Sequence, residues 1–222
     1  PLAYPREAAF IRDVMARVFE RSAGEFWLFG TDEASASEWF APIRAAGGKC
    51  RAIPPLPYEG YLACVAECAI GMQPIAPEND FSQGKSFGKL LAYLSGQVAV
   101  VASNAVDHPM FFRDGESGLL PEHDVEAWAT AICHLLDNSD DRCRMAMRGW
   151  QDFRERITSQ KFALLLDSIL RDAAGLPLEQ EHRNRLDACL NHSERSPLAP
   201  TNPLHVSSVP PGDADGSSHA SR

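Results

Sequence analysis

MQPIAPENDFSQGKSFGKLLAYLSGQVAVVASNAVDHPMFFRDGESGLL, residues 72–120, is the stretch that decides the fold, because the spacing of its apolar residues changes part-way along. Four of them follow the three-and-four spacing of one helix face: Phe87, Leu90, Leu91 and Leu94. Val98–Ala102 is instead a continuous run rich in valine, typical of a strand that is buried on both faces of a parallel sheet. The order of strand, glycine-bearing loop, helix, strand and loop therefore predicts a βαβ unit.

The turn between the first strand and the helix combines glycines with positive charge: Gly84, Lys85, Ser86, Phe87, Gly88 and Lys89. It follows the carboxyl end of a strand, where open α/β sheets bind their ligands. The start of the helix offers unpaired N–H groups and the positive end of its dipole, and glycines let an anion approach the backbone closely. The pattern predicts a phosphate or diphosphate site. The alternative is that the two lysines only solvate an exposed helix face.

Two segments of this stretch carry a resemblance to a known family: IAPENDFSQGKSFGKLLAYLSGQVAVVAS (75–103) and HPMFFRDGESGLL (108–120). They resemble the segments APL-D-NPF-xx-GKS-xx-K-xLEY-xx-xG-xPVVAS and I-x-DG-x-NGLL of GT-B glycosyltransferases of the family 4 (group 1) type. The resemblance is to the C-terminal, donor-binding domain; it follows element order over residues 5–172 and is specific from Pro74 to Leu120. It implies that the loop and the helix start hold the diphosphate of a nucleotide sugar.

The chain departs from the family pattern at one position that matters. Ala92 stands where the family has the Glu of its LEY segment, a residue that holds the ribose of the donor. Alanine cannot accept those hydrogen bonds, and each bond lost to a charged group costs about 1.5–3 kcal/mol. Three outcomes remain open: donor binding is weakened, another group substitutes, or this copy does not bind a donor in the usual way.

The chain before residue 72 alternates between predicted helices and strands. Helices are expected over residues 5–21, 37–46 and 58–68, and strands over 26–29, 50–53 and 69–75. After the βαβ unit we expect a short edge strand over 118–120 and helices over 124–136, 140–156 and 160–174. The fold class is α/β, a Rossmann-like parallel sheet with helices on both faces, corresponding to one GT-B half-domain. Because such a half begins with a strand, we expect its first strand to lie before Pro1 or to be absent.

Two further places carry candidate ligand contacts. PPLPYEGYLACVAECAIGMQPI (54–75) resembles the family segment LPPLPYEEYLALLAEADIGLAPL, which makes Pro55 and Leu56 candidates for a contact with the base; the alternative is a plain turn. His108 lies in the loop after the second strand, as a possible contact for phosphate or acceptor, or as a solvated loop histidine. Asp114 belongs to the family's DG-x-NGLL element, to which the resemblance gives a structural role, so no catalytic role is assigned to it.

Composition limits the remaining possibilities. The 222 residues, 45% of them hydrophobic, suit one α/β domain over residues 1–175, followed over 176–222 by a charged and then Pro-, Ser- and Gly-rich tail that we expect to be largely disordered. A net charge of −9 argues against a nucleic-acid surface. No apolar run is long enough to span a membrane, and no secretory signal opens the chain, which favours a cytoplasmic protein. The cysteines match no zinc spacing; Cys64 and Cys68 share a helix face and are expected as reduced core residues, half of a metal site being the alternative.

Two functions from different classes follow. The first is the donor-binding half of a retaining glycosyltransferase of the hexosyltransferase type, without metal or cofactor. It would take a nucleotide sugar as donor and pass the sugar to a saccharide, lipid-linked or small-molecule acceptor, held with the help of an N-terminal GT-B domain that this chain lacks. Alone the chain would be poorly active. The second is a non-catalytic or degenerate module, kept for nucleotide binding or for protein contact.

Overall fold

A computed structural model of the chain describes residues 4–85, 88–156 and 159–175, together with Gln180 and Asn184. The chain divides into two compact units, Pro1–Glu179 and Gln180–Arg222. In the second unit the two described residues are helical, and the rest of the tail that was predicted to be largely disordered lies outside the described residues. Within the described part of the chain, no helix is both long and apolar enough to cross a membrane.

The predicted helices and the four predicted strands up to Ala102 appear in the first unit in the predicted order. The strands are β1 Glu25–Phe29, β2 Lys49–Ile53, β3 Ile70–Gln73 and β4 Ala99–Ala102. The helices are α1 Pro5–Phe19, α2 Glu33–Ala45, α3 Tyr58–Ala66, α4 Asp80–Gln83, α5 Gly88–Ser95, α6 His108–Phe111, α7 Val125–Asp137, α8 Ser139–Arg156 and α9 Ser159–Ala173. The mixed α/β class with parallel strands is thereby confirmed.

The four strands form two separate parallel pairs where one sheet was expected. In the first pair Glu25 of β1 lies opposite Lys49 of β2, and the register continues to the ends of both strands. In the second pair Ile70 of β3 lies opposite Ala99 of β4. β1 and β3 are not hydrogen-bonded to each other. The predicted edge strand over 118–120 is reduced to single bridges, in which Leu119 pairs with Val101 beside β4.

Helices cover both faces of the strands. One large apolar cluster joins α1, α2 and α7 to β1 and to Ala99 and Val101 of β4, with Phe40, Val14 and Trp128 at its centre. On the opposite face α5 packs against β4 through Leu90 and against α3 in a cluster around Val65, Ala92 and Val98. This distribution agrees with the expected two-faced arrangement of helices.

Local chemistry explains where elements begin and end differently from the prediction. α2 begins four residues earlier than expected because the Asp32 carboxylate caps it, accepting the Ser35 N–H at 2.8 Å. β3 ends at Gln73 because Pro74, which has no N–H, follows it. Two single helical turns, α4 and α6, occupy loops for which no helix was predicted, because four residues are too few to show a helical period.

Candidate functional site

A cavity of about 960 Å³ lies between the two strand pairs. Its walls include all five residues of β1 and all four of β3, so the two unpaired strands face the same space. It also reaches residues that follow the carboxyl ends of three strands: Gly30 after β1, Pro54, Pro55 and Leu56 after β2, and Pro74 after β3. The carboxyl edge is the edge at which open parallel sheets bind their ligands.

The structure places most of the predicted site residues in the wall of this cavity. Pro55, Leu56, Lys85, Gly88 and Lys89 all line it, although the two segments are about thirty positions apart in the sequence. Gly84 is not part of the lining and instead caps the carboxyl end of α4. Ser86 and Phe87 lie outside the described residues. Residues from two independent sequence patterns thus line one cavity.

Lys85 is held by a buried carboxylate. Its ammonium donates to Glu7 Oε1 of α1, which also accepts a hydrogen bond from Ser82 Oγ, and it lies 3.2 Å from that hydroxyl. The Glu7 side chain is 8% exposed and that of Lys85 20% exposed. Burial alone would raise the pKa of Glu7, but the hydrogen bonds from Lys85 and Ser82 outweigh it and hold this pKa below its usual value. At neutral pH the pair is therefore charged and internally compensated.

Lys89 is placed differently, one helical turn further along. Its Nζ lies 5.4 Å from the centre of the Tyr4 ring, and no described carboxylate comes within ion-pair distance of it. Poor solvation beside the cavity lowers the pKa of Lys89, and the neighbouring Lys85 charge lowers it further. The Lys89 residue is exposed and forms no ion pair with a described carboxylate, so an anion can reach its ammonium without displacing a partner. Lys89 is thus better suited than Lys85 to meet a phosphate.

On α5 the residue that faces the cavity after Lys89 is Tyr93, four positions on. Its hydroxyl donates to the Met72 carbonyl at 3.3 Å, and burial raises its pKa. Ala92 points the other way, into the cluster with Val65 and Val98, and is 5% exposed. A carboxylate at position 92 would therefore sit among apolar side chains in this structure, and alanine is the residue type that its surroundings favour.

His108 is fully buried at the start of α6, so the solvated alternative is wrong for it. Its Nδ1–H donates to the Ser103 carbonyl at 2.9 Å, which leaves Nε2 to accept from Gln73 Nε2–H at 3.2 Å. Burial lowers the pKa of His108 and so favours this neutral ring. His108 does not line the cavity; it reaches it only through Gln73, the last residue of β3.

The described residues contain no group of three or more His, Cys, Asp or Glu side chains that could hold a metal ion. The five described cysteines are free and half-buried. Cys68 donates to the Cys64 carbonyl at 3.7 Å, and burial raises its pKa to about 11, so its thiol stays protonated at neutral pH. The partial burial of Cys64 and Cys68 favours the interpretation of both as packing residues.

Glu7 and Tyr93 were not among the residues singled out from the sequence. A signal for Glu7 exists, because it lies on the same helical stripe as Ile11, Val14 and Val18, where a carboxylate has to find a partner. Tyr93 has a weaker signal, its position four residues after Lys89 on a helix of the candidate site. The lysine that Glu7 binds is 78 positions away, which no local pattern reveals.

No model of a known protein family matches this chain, and no curated protein matches it either. The resemblance of residues 74–120 to the GT-B donor domain accordingly stays a hypothesis. Function is argued below from the groups around the cavity.

Proposed function

We propose that this chain is the donor-binding half of a retaining glycosyltransferase, of the hexosyltransferase type, that takes its sugar from a nucleotide-diphosphate sugar. The observation that carries the proposal is that Pro55 and Leu56 line the same cavity as Lys85, Gly88 and Lys89. The first pair suits a flat, apolar base, and the second group suits a diphosphate. Both lie at the carboxyl edge of parallel strands.

In this proposal the chemistry is electrostatic. Departure of the nucleotide diphosphate develops negative charge on its phosphate oxygens, and Lys89 together with the N–H groups at the start of α5 stabilises that charge. Lys85 contributes less, because an anion has to compete with Glu7 for its ammonium. Pro55 and Leu56 position the base. No metal or cofactor takes part.

The proposal also covers the surroundings of the site. The fold would be a Rossmann-like half-domain, supported by parallel strands with helices on both faces. The acceptor, a saccharide or a lipid-linked or small molecule, would be bound with the help of a second, N-terminal GT-B domain. We place the reaction in the cytoplasm, where nucleotide sugars are available to a chain whose five described cysteines are free thiols.

Two observations favour the second candidate, a degenerate or non-catalytic module that binds nucleotides or proteins. Ala92 faces an apolar cluster, so α5 offers no carboxylate to a ribose at that position. Lys85, the lysine of the GKS segment, is already neutralised by Glu7. Either feature reduces the affinity for a nucleotide sugar without changing the fold.

Calorimetric titration of the folded chain with UDP, GDP and their sugar conjugates tests the proposal. We expect micromolar binding of one nucleotide, at least about tenfold weaker in Lys89→Ala, which corresponds to the loss of about 1.4 kcal/mol. Lys49→Ala is the matched control, because it removes the same charge at the exposed amino end of β2. Lys85→Ala is paired with Glu7→Gln so that no buried carboxylate is left alone.

Three results would decide between the candidates. Binding that is lost in Lys89→Ala and kept in Lys49→Ala supports the donor site and identifies the base. Equal weakening in both variants contradicts a located site and indicates only general charge attraction. The absence of heat with every nucleotide, from a chain that circular dichroism shows to be folded, contradicts the proposal and favours the second candidate.

A further inference from the structure

The inner edge of β1 carries unused hydrogen-bonding groups. In a parallel ladder alternate residues direct both N–H and C=O toward one neighbour. Lys49 N–H donates to the Gly24 carbonyl at 3.3 Å and Gly30 N–H to Ile53 at 2.8 Å, so even-numbered residues of this strand face β2. Trp27 and Phe29 therefore direct their backbone groups toward the cavity, and none of the described residues bonds to them there.

The inner edge of β3 faces the same space from the other side. Ser103 N–H donates to the Gln73 carbonyl at 3.2 Å, so Gly71 and Gln73 face β4, while Ile70 and Met72 face the cavity. One of these groups is engaged, the Met72 carbonyl, which accepts the Tyr93 hydroxyl. Two parallel strand edges with complementary groups thus border one space, an arrangement that sheets elsewhere fill with a strand.

The alternation of side chains between the two faces also agrees between the two strand pairs on either side of the gap. Phe26 and Leu28 of β1 belong to the apolar cluster under α1 and α7, and Ile70 and Met72 of β3 pack against the same cluster. On the opposite face Phe29 of β1 meets Tyr61 of α3, at 5.6 Å between ring centres. Because alternate side chains point to alternate faces, this agreement is what two strands of one continuous sheet show.

Helices close the space above and below. Ile11 and Met15 of α1 line it on one face, and Tyr61 of α3 and Tyr93 of α5 line it on the other. The open volume is therefore a layer bordered by two strands and covered by two sets of helices. That is the environment of a central strand in a parallel sheet, which is apolar on both faces.

We propose that this cavity is the binding slot of a fifth parallel strand, which joins the pairs in the order β2, β1, fifth strand, β3 and β4. Its occupant is an extended, apolar segment of the same polypeptide, joined to the amino end of α1. The inference stands on the geometry of the cavity and is independent of any nucleotide sugar.

The direction of α1 supports this source. Its first turn is tied through Glu7 to Ser82 and Lys85, beyond the carboxyl end of β3. Its last residue, Phe19, packs on Gly24 and Gly48, just before β1 and β2. α1 thus runs opposite to the strands, so a strand in the slot ends where α1 begins. Strand, α1 and β1 then form a βαβ crossover, the standard link between neighbouring parallel strands.

The slot also defines the chemistry of the segment. It should contain about five residues, matching β1, and span roughly 17 Å. Since both its faces meet apolar side chains, it should be a nearly continuous run of Val, Ile or Leu. The test therefore adds such a strand before Pro1.

The experiment compares the chain with a fusion that adds Val-Ile-Val-Val-Ile and a short linker before Pro1. Amide hydrogen exchange is followed at Trp27, Phe29, Ile70 and Met72, with Phe26 and Leu28 as internal references. We expect exchange at the first four amides to slow by about tenfold or more in the fusion, because each gains a partner. The matched control is a fusion with proline at the second and fourth added positions, because proline has no N–H and cannot complete a ladder. This control should leave the exchange rates of the four amides unchanged.

Each other outcome would overturn the proposal. Unchanged exchange in the fusion means that the slot does not accept a strand. Equal protection of Trp27 and Phe26 in the chain without the added strand means that β1 and β3 already pair. Protection that depends on protein concentration means that the occupant comes from another molecule. The same conclusion follows if a free peptide with the sequence of the added strand protects these amides and the fusion does not. Nucleotide titration plays no part in these results, so they are separable from the failure of the proposed function.

Discussion

The Glu7 carboxylate of α1 and the Lys85 ammonium form a buried ion pair across 78 positions of the sequence. Ser82 adds a second hydrogen bond to the same carboxylate oxygen. The pair connects the first helix to the loop that carries the candidate site, and it decides which of the two lysines is available to a ligand. It also makes the stability of this region depend on one charge.

We predict that Glu7→Ala lowers the free energy of unfolding by about 2–4 kcal/mol, because it leaves a poorly solvated ammonium without its partner. The value lies somewhat below that for a fully buried pair, since Lys85 keeps 20% of its side chain exposed. Urea unfolding measures it. Glu7→Leu combined with Lys85→Met removes both charges and should restore most of the loss. A Glu7→Ala variant within about 0.5 kcal/mol of the parent would contradict the buried pair.

The same pair should produce a pH dependence. Because the pKa of Glu7 is lowered on folding, its contribution is complete above the ordinary value of 4.5 and is lost as the pH falls through the lowered pKa. The free energy of unfolding should therefore decrease below about pH 4.5 in the parent and less steeply in Glu7→Gln. Parallel urea titrations at pH 3, 4, 5 and 7 measure this difference. Identical slopes in the two proteins would contradict the assignment.

His108 predicts a second pH dependence, in a higher range. Its pKa is lowered by burial, so the unfolded chain takes up a proton near pH 6.5 while the folded chain resists it. Stability attributable to His108 is thus complete above pH 6.5 and is lost as the pH falls from there toward the lowered pKa. His108→Gln keeps a side chain that can form hydrogen bonds. In this variant the free energy of unfolding should vary less with pH between pH 5 and 7 than it does in the parent. A pH dependence in His108→Gln equal to that of the parent would contradict this role of His108.

The sequence predicted the order of elements well because helices of eight residues or more show their period in the chain itself, and the short buried strands show as apolar runs. α5, for example, follows from Leu90, Leu91 and Leu94, and β4 from its run of valines. The boundary of α2 was missed because its cap, Asp32, lies five residues before the predicted start at residue 37. α4 and α6 could not be predicted, since one helical turn has no period.

The site was only partly predictable, for a different reason. Glycines and lysines mark a loop at the carboxyl edge, and that placement needs only the alternation of elements. The state of each lysine depends on tertiary contacts, namely on Glu7 for Lys85 and on the wall of the cavity for Lys89. The burial of His108 likewise depends on Gln73, which is 35 positions away. The spacing of residues along the sequence does not reveal any of these tertiary contacts.

Gly71 of β3 and Tyr93 of α5 give a prediction about packing beside the slot. A Cβ atom at position 71 would lie 2.4 Å from the Tyr93 ring, closer than atoms can approach. Gly71→Ala should therefore lower the free energy of unfolding by about 1–3 kcal/mol, the usual cost of an overpacked core. Gly88→Ala is the control, because nothing lies within 4 Å of the added atom and alanine favours a helix.

The cause of that loss can be separated by a double-mutant cycle with Tyr93→Ala. If the ring is the obstacle, the loss of stability caused by Gly71→Ala should be smaller in the Tyr93→Ala background than in the parent, by at least about 1 kcal/mol. Tyr93→Phe keeps the ring and removes only the hydroxyl that binds the Met72 carbonyl, so it should not relieve the clash. Equal costs of Gly71→Ala in all three backgrounds would mean that the strand itself resists a side chain at this position, and that Tyr93 does not pack on it.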